Sequence, residues 1–242
     1  MTTAVLSDVH GNLEALDAVL AEIASLDIER LLVCGDVVGY GANPTECLDR
    51  LLDRHPVMVA GNHDWAAVGK LPTESFSDDA AAAVLWTSSR LDEPHRQALR
   101  TLPLEYRDEI LLAVHSSPCA PSEWSYLVEI DDVRRAIETS DRPLCFVGHS
   151  HVPFVYGRGE GQEVFDRRPG RYPLRPGWRY LVNVGSVGQP RDGDPRASFA
   201  LLHGESKTVE LVRTPYDIRA AQEKIHAAAL PEFLAWRLRW GF

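Results

Sequence analysis

The stretch Thr3-Ala4-Val5-Leu6-Ser7-Asp8-Val9-His10-Gly11-Asn12 opens the chain, and its reading decides the fold. Residues 3–6 are a short apolar run of the kind that forms a buried strand. Asp8 and His10 follow at alternate positions, which share one face of an extended segment. Gly11 supplies a turn, and Leu13, Leu16, Val19 and Leu20 then recur at helical spacing. The reading is strand, tight turn, helix, with two potential metal ligands at the strand's carboxyl end. In open α/β sheets that end is where ligands bind. Asn12 closes the stretch and is a candidate substrate contact.

One Asp-x-His pair carries little by itself, but the pattern recurs. Residues 31–34 run into Gly35-Asp36, and 57–60 into Gly61-Asn62-His63-Asp64. Residues 110–114 run into His115-Ser116-Ser117, and 144–147 into Gly148-His149-Ser150-His151. Strands alternating with helical stretches predict βαβ units, whose parallel pairing gathers the first three ends at one edge. Turns after strands account for the glycines. They do not account for the acids, amide and imidazoles beside them. Carboxylate, amide oxygen and imidazole without thiolate suit Mn, Fe, Zn, Co or Ni, with Mn favoured, and argue against a Cys-rich structural zinc site.

Between these blocks, residues 65–102 read as mostly helical, a scaffold or lid, with helices starting near Ser77 and Leu91. Residues 105–108 and 110–114 form a hairpin, and 131–138 a short helix. From Val152 the apolar period becomes two, giving strands near 154–156, 163–165, 180–184, 198–202 and 208–212. The segment 157–161 reads as a Gly-rich turn. It lacks the G-x-G-x-x-G spacing and opens no helix, so a dinucleotide site is rejected. Two helices, 217–229 and 231–240, close the chain. On the last, Leu230, Phe233, Leu234 and Leu238 make one apolar stripe, with Trp236 and Trp240 off it. Either one face meets a second copy in a homo-oligomer or both are covered by this chain. Without linker or repeat, residues 1–242 are expected to form a single domain.

The 242 residues carry a formal charge of −10, and no basic stripe of the kind that grips polymeric nucleic acid is present. A small phosphate ester fits such a chain if metal ions reverse the field locally. No apolar run reaches the ~20 residues of a membrane-spanning helix, and the start lacks the basic and apolar regions of a signal peptide. Cys34 and Cys145 lie inside apolar runs, as reduced buried thiols do. A cytoplasmic protein without membrane contact is expected.

In order, Asp8-x-His10, Gly35-Asp36, Gly61-Asn62-His63-Asp64, His115 and Gly148-His149-x-His151 resemble the signature of calcineurin-like metallophosphoesterases. The stretch from Asn183 to Arg191 is similar to the small prokaryotic phosphodiesterase branch of that family. The resemblance implies a four-layer α/β/β/α sandwich of two mixed β-sheets flanked by helices. It also implies two divalent metal ions, with Asp8, His10, Asp36 and His151 around one and Asp36, Asn62, His115 and His149 around the other. His63 then faces the substrate.

Two divalent ions sharing Asp36 would sit roughly 3.5–4 Å apart, suited to a bridging hydroxide that attacks a phosphate held by both. His63 is the candidate proton donor to the leaving oxygen. Asp64 either orients His63 or caps the following segment. Protein phosphatases of the family carry an arginine where this chain has Tyr40, which cannot clamp a dianion bidentately. A phosphodiester, with one charge fewer, is therefore the expected substrate. Arg191 either contacts phosphate or nucleotide or is a solvated turn residue beside Asp192 and Asp194. Phosphomonoester or dinucleoside-polyphosphate hydrolysis is the alternative. A non-catalytic scaffold of the same fold is disfavoured because no ligand is missing.

Overall fold

A computed structural model describes residues 2–26 and 28–242. The chain runs β1 (Thr2–Leu6), α1 (Leu13–Ala24), β2 (Arg30–Val33), α2 (Pro44–Leu52), β3 (Val57–Met58), α3 (Asn62–Ala67), α4 (Asp78–Arg90) and α5 (Glu93–Arg100). It continues through β4 (Glu105–Arg107), β5 (Leu111–Val114), a 3-10 turn at Pro121–Glu123, α6 (Ile130–Thr139) and β6 (Leu144–Val147). The remainder is β7 (Phe154–Gly159), β8 (Gln162–Asp166), β9 (Gly170–Pro173), β10 (Arg179–Asn183), β11 (Ala197–His203), β12 (Thr208–Thr214), α7 (Ile218–Ala227) and α8 (Glu232–Leu238).

Two six-stranded sheets result, in the orders β3-β2-β1-β11-β12-β9 and β4-β5-β6-β10-β7-β8. In the first, β1, β2 and β3 are parallel and the other three antiparallel. In the second, β5, β6 and β10 are parallel and lie inside antiparallel partners. Strand side chains alternate between faces, and the cores follow that period. Val5 and Leu32 point into a cluster with Phe146, Val182 and Ala200 between the sheets. Ala4, Leu6, Leu31 and Val33 point the other way, onto Leu16, Leu20, Leu48 and Leu51 of α1 and α2. Cys145, Val147 and Leu181 pack against Val133, Ala136 and Ile137 of α6. The layers are therefore helix, sheet, sheet, helix. Central strands buried on both faces have to read as unbroken apolar runs, as residues 4–6 of β1, 31–33 of β2 and all of β5 and β6 do.

Several boundaries differ from the sequence reading. β3 ends at Met58, and Asn62 to Asp64 belong to the first turn of α3. Gly157 and Gly159 lie inside β7, where added side chains would strike Tyr180 and Trp178, and the turn falls at Glu160-Gly161. β9 is an extra edge strand. In the C-terminal segment Leu230, Leu234 and Leu238 are buried with Ala83 and Ile225. Phe233 is outside that stripe, exposed alongside Trp236, Trp240 and Phe242. Among the described residues no helix is long and apolar enough to cross a membrane.

Candidate active site

The five polar blocks converge. Asp8 and His10 follow β1, Asp36 follows β2, and Asn62 and His63 open α3 just beyond β3. His115 follows β5, while His149 and His151 follow β6. All eight are at least nine-tenths buried. Asp8, His10, Asp36, Tyr40, His149 and His151 hold φ between 49° and 65°. Non-glycine residues in that left-handed region are strained, and such strain gathers at functional sites. Here it turns each side chain from the strand end into the centre.

Asp8, His10 and His151 form one group with ligand atoms within 4.8 Å of one another, and Asp36, His115 and His149 form another. Asp36 lies between them, its Oδ2 3.6 Å from His10 Nε2 and 3.3 Å from His115 Nε2. A third group, His10, Asp36 and His63, overlaps both.

Hydrogen bonding fixes which nitrogen each imidazole turns inward. His10 Nδ1 donates to the Val38 carbonyl (3.1 Å), His115 Nδ1 to that of Cys34 (2.7 Å) and His151 Nδ1 to that of Gln189 (2.6 Å). His149 Nε2 donates to the Trp124 carbonyl at 2.8 Å. A carbonyl only accepts, so each of these nitrogens carries its proton. In the neutral rings the other nitrogen offers a lone pair, the usual outer-shell arrangement of metal-bound histidine. The inward nitrogens meet in pairs, His10 with His151 at 3.2 Å and His115 with His149 at 3.1 Å. Opposed lone pairs repel unless a proton or a metal ion lies between them. Asp8 Oδ1 and Asn62 Oδ1 are also buried without a partner. Orphaned oxygens and inward lone pairs are what a pair of divalent ions would satisfy, so the residues fit that cofactor.

The electrostatics agree. Burial and then His115 push His149 down to about 4, and burial and then Arg191 push His151 down to about 3. Both are thus neutral donors. Burial disfavours the charged form of His115, yet Asp36 and Asp8 together raise it to about 9. Burial would raise the Asp36 carboxyl, but His115 and His63 outweigh it and hold it below the usual carboxylate range. The carboxylates thus draw positive charge into the centre.

His63 stands apart. Burial pushes its imidazole well below the usual range despite Asp36, its Nδ1 is buried and unpartnered, and its ring packs against His10, Tyr40 and Phe76. Asp64 does not orient it. Asp64 Oδ2 accepts from the amides of Asp36 (2.8 Å) and Gly61 (3.0 Å), and Oδ1 from those of Val37 (2.9 Å) and Val38 (3.2 Å). Of its two expected roles its contacts support capping, and the bonds to residues 36–38 add a tie to the Asp36 loop. Asn12, expected as a substrate contact, makes structural bonds. Its Oδ1 caps α1 at the Ala15 amide (3.1 Å) and its Nδ2 donates to the Gly188 carbonyl (2.8 Å).

A cleft of about 410 Å³ opens on this centre, lined by Asn62, His63 and His149 and also by Tyr40 and Arg191. Arg191 Nη2 donates to Gln189 Oε1 (2.8 Å) and to the Tyr40 hydroxyl oxygen (3.3 Å), so Arg191 is not a solvated turn residue. Further wall residues were not singled out by the sequence: Phe76, Trp124, Tyr126 and Arg237. Tyr126 stacks on His149 with ring centroids 4.0 Å apart. No motif flags these residues, since they lie in an irregular loop, ahead of α4, and on the last helix.

Fold and centre together define a metallophosphoesterase. The chain belongs to the calcineurin-like phosphoesterase superfamily, whose domain it matches over residues 1–207. Members of the family depend on divalent metal, and membership makes this protein a hydrolase of the phosphoesterase class. It is 41% identical over 244 residues to an uncharacterized protein of Methanocaldococcus jannaschii, covering 98% of this chain and 97% of that one. The solved metallophosphoesterase of Sphaerobacter thermophilus is 38% identical, with a TM-score of 0.88 over 100% of this chain and 99% of that one. A hypothetical protein from Pyrococcus horikoshii shares the fold at 22% identity, with a TM-score of 0.82 over 100% of this chain and 98% of that one.

Proposed function

We propose that the protein is a dinuclear metal-dependent phosphodiesterase acting on small organic phosphates or nucleotides. The observation that carries this reading is Asp36, whose carboxylate faces both ligand groups at once. Asp8, His10, Asp36 and His151 would hold one ion, and Asp36, Asn62, His115 and His149 the other. Divalent ions there supply Lewis acidity toward the phosphoryl oxygens and a water acidified toward a pKa of about 7.

The chain's own residues do the rest. Backbone carbonyls of Cys34, Val38, Trp124 and Gln189 lock the imidazole rings, so the donor set is preorganised. Asp64 ties the loop carrying Asp36 to the start of α3, and the His63 amide donates to Asp36 Oδ1 at 2.9 Å. His63, free of any carbonyl lock, is assigned the proton for the departing oxygen. Because burial holds its imidazole below the usual range, it acts only in the fraction of molecules where it has first taken that proton up. Tyr40 closes the wall beside it. With Tyr40 and no arginine at that position, a singly charged diester fits better than a monoester dianion.

The test is metal content and turnover of the same samples. Wild type loaded with Mn is expected to hydrolyse bis(p-nitrophenyl) phosphate, and chelation to abolish it. Asp36→Ala should hold fewer than two ions and lose activity altogether. Turnover by stripped protein, or by Asp36→Ala at the wild-type rate, rejects the reading.

A further inference from the structure

The cleft holds two arginines whose charge the chemistry above does not use for bond cleavage. Arg191, after β10, and Arg237, on α8, line it together with Asn62, His63 and His149. Arg191 Nη2 donates to neutral acceptors, Gln189 and Tyr40, and its Nε is buried without a partner among the described residues. Arg237 Nε donates to the main-chain oxygen of Phe242, the last residue of the sequence, and its guanidinium lies 5.1 Å from the Phe233 ring centroid. The carboxylates beside Arg191 in sequence are occupied, Asp192 by Arg213 and Asp194 by Arg196. Burial and then the charge of Arg191 push the Arg237 guanidinium down to about 10, with Tyr40, Asp79 and Tyr126 offsetting this only in part. Among the described residues no side-chain carboxylate pairs with either arginine, and two cations facing one cleft on those terms are unfavourable until an anion joins them.

The position of the pair limits what that anion is. The scissile phosphoryl belongs at the Asp8 and Asp36 centre, so the arginines face whatever lies next to it in the substrate. A simple diester carries one charge and offers the arginines nothing further. We infer that Arg191 and Arg237 form a subsite for a second phosphoryl group, so that the preferred substrates are organic phosphates bearing at least two phosphoryl groups in succession. The inference rests on the phosphoesterase reading above and names its substrate class. Guanidinium forks match phosphate oxygens bidentately, which a lysine does not. A cleft of about 410 Å³ is of the size that takes such a molecule. The family domain ends at residue 207, so Arg237 comes from the C-terminal helices beyond it. The subsite thus joins Arg191, inside the matched domain, to Arg237, outside it.

AMP and ADP are the probes, their binding measured by calorimetry on metal-loaded, desalted wild type, Arg237→Gln, Arg237→Lys and Arg191→Gln. Wild type is expected to bind ADP more tightly than AMP by about tenfold or more, the worth of a charge-assisted hydrogen bond. That ratio should fall toward one in Arg237→Gln and Arg191→Gln and sit between the two in Arg237→Lys. If Arg237 merely holds the C-terminus through Phe242, its variants will lower the melting temperature and weaken AMP and ADP alike, and the subsite is rejected. An unchanged ratio in both glutamine variants rejects it equally. Failure of the underlying reading looks different, because wild type would then hydrolyse no phosphate ester with metal bound.

Discussion

A methyl group at position 148 would sit on the side chains of Ser7 and Asp8, and one at position 61 on the Asp36 carboxylate. Neither glycine has positive φ, so what they supply is closeness. Gly148→Ala and Gly61→Ala should each displace a ligand carboxylate, destabilise the fold by about 1–3 kcal/mol and lower bound metal. Mass spectrometry of the purified variants checks this, and full metal occupancy in both would refute it. His63 is tested through the leaving group. On an alkyl or cyclic-nucleotide diester, His63→Gln should lose about 10²–10⁴-fold in rate, whereas a p-nitrophenyl diester departs without help and should lose much less. Equal losses with metal retained would remove the proton-donor role. At this scale the cluster of candidate ligands was legible because five apolar runs end in the same few residue types. Asn12 and Asp64 were not, because the side chains that cap helices are the ones that bind metals and substrates. The sequence also left the glycines as turn formers, since close approach of distant chain segments has no local signature.

Helices α2 and α5 are joined by one imidazole. His95 Nδ1 bonds Asp92 Oδ1 at 2.6 Å and its Nε2 bonds Asp49 Oδ1 at 3.0 Å. Burial disfavours its charged form, but Asp49 and Asp92 outweigh burial and raise it above its ordinary value. Its contribution to stability is therefore complete below the unfolded value of about 6.5 and is lost as pH rises through the folded one. His95→Gln should lower the melting temperature at pH 5.5 and leave it nearly unchanged at pH 9. The same deficit at both pH values would contradict the linkage. Element existence was mostly legible from apolar period, and the losses have local causes. β9 is framed by Gly170 and Pro173, residues that elsewhere signal a turn, and is held only by its neighbour β12. The start of α3 was hidden because Asn62 and His63 read as a strand-end cluster, although Asp64 at the third helical position is a capping residue.

Across the whole molecule the charge is −10, while the cleft concentrates Arg191 and Arg237 beside a centre suited to cations. Fields focused into such a cleft raise the encounter rate of anions and fade with salt. kcat/KM on an anionic ester is thus expected to fall as ionic strength rises. The last helix carries the expectation of a homo-oligomer. Phe233, Trp236, Trp240 and Phe242 are each about half exposed, and sedimentation at micromolar concentration is expected to give a mass above 26.9 kDa. A strictly monomeric mass rejects it.

The centre draws its donors from both sheets: Asp8, His10, Asp36 and Asn62 from the ends of the first, and His115, His149 and His151 from the second. Neither sheet alone presents a complete set, so an ion can be gripped only after the halves have docked. Metal held there is expected to act as a rivet through the sandwich, adding about 2.7 kcal/mol when free metal is a hundredfold above its dissociation constant. Slow amide exchange should reveal the rivet's reach. Amides of β1 and β6 ought to gain protection in step as metal is titrated, while those of the outer strands β8 and β9 keep exchanging at their apo rates.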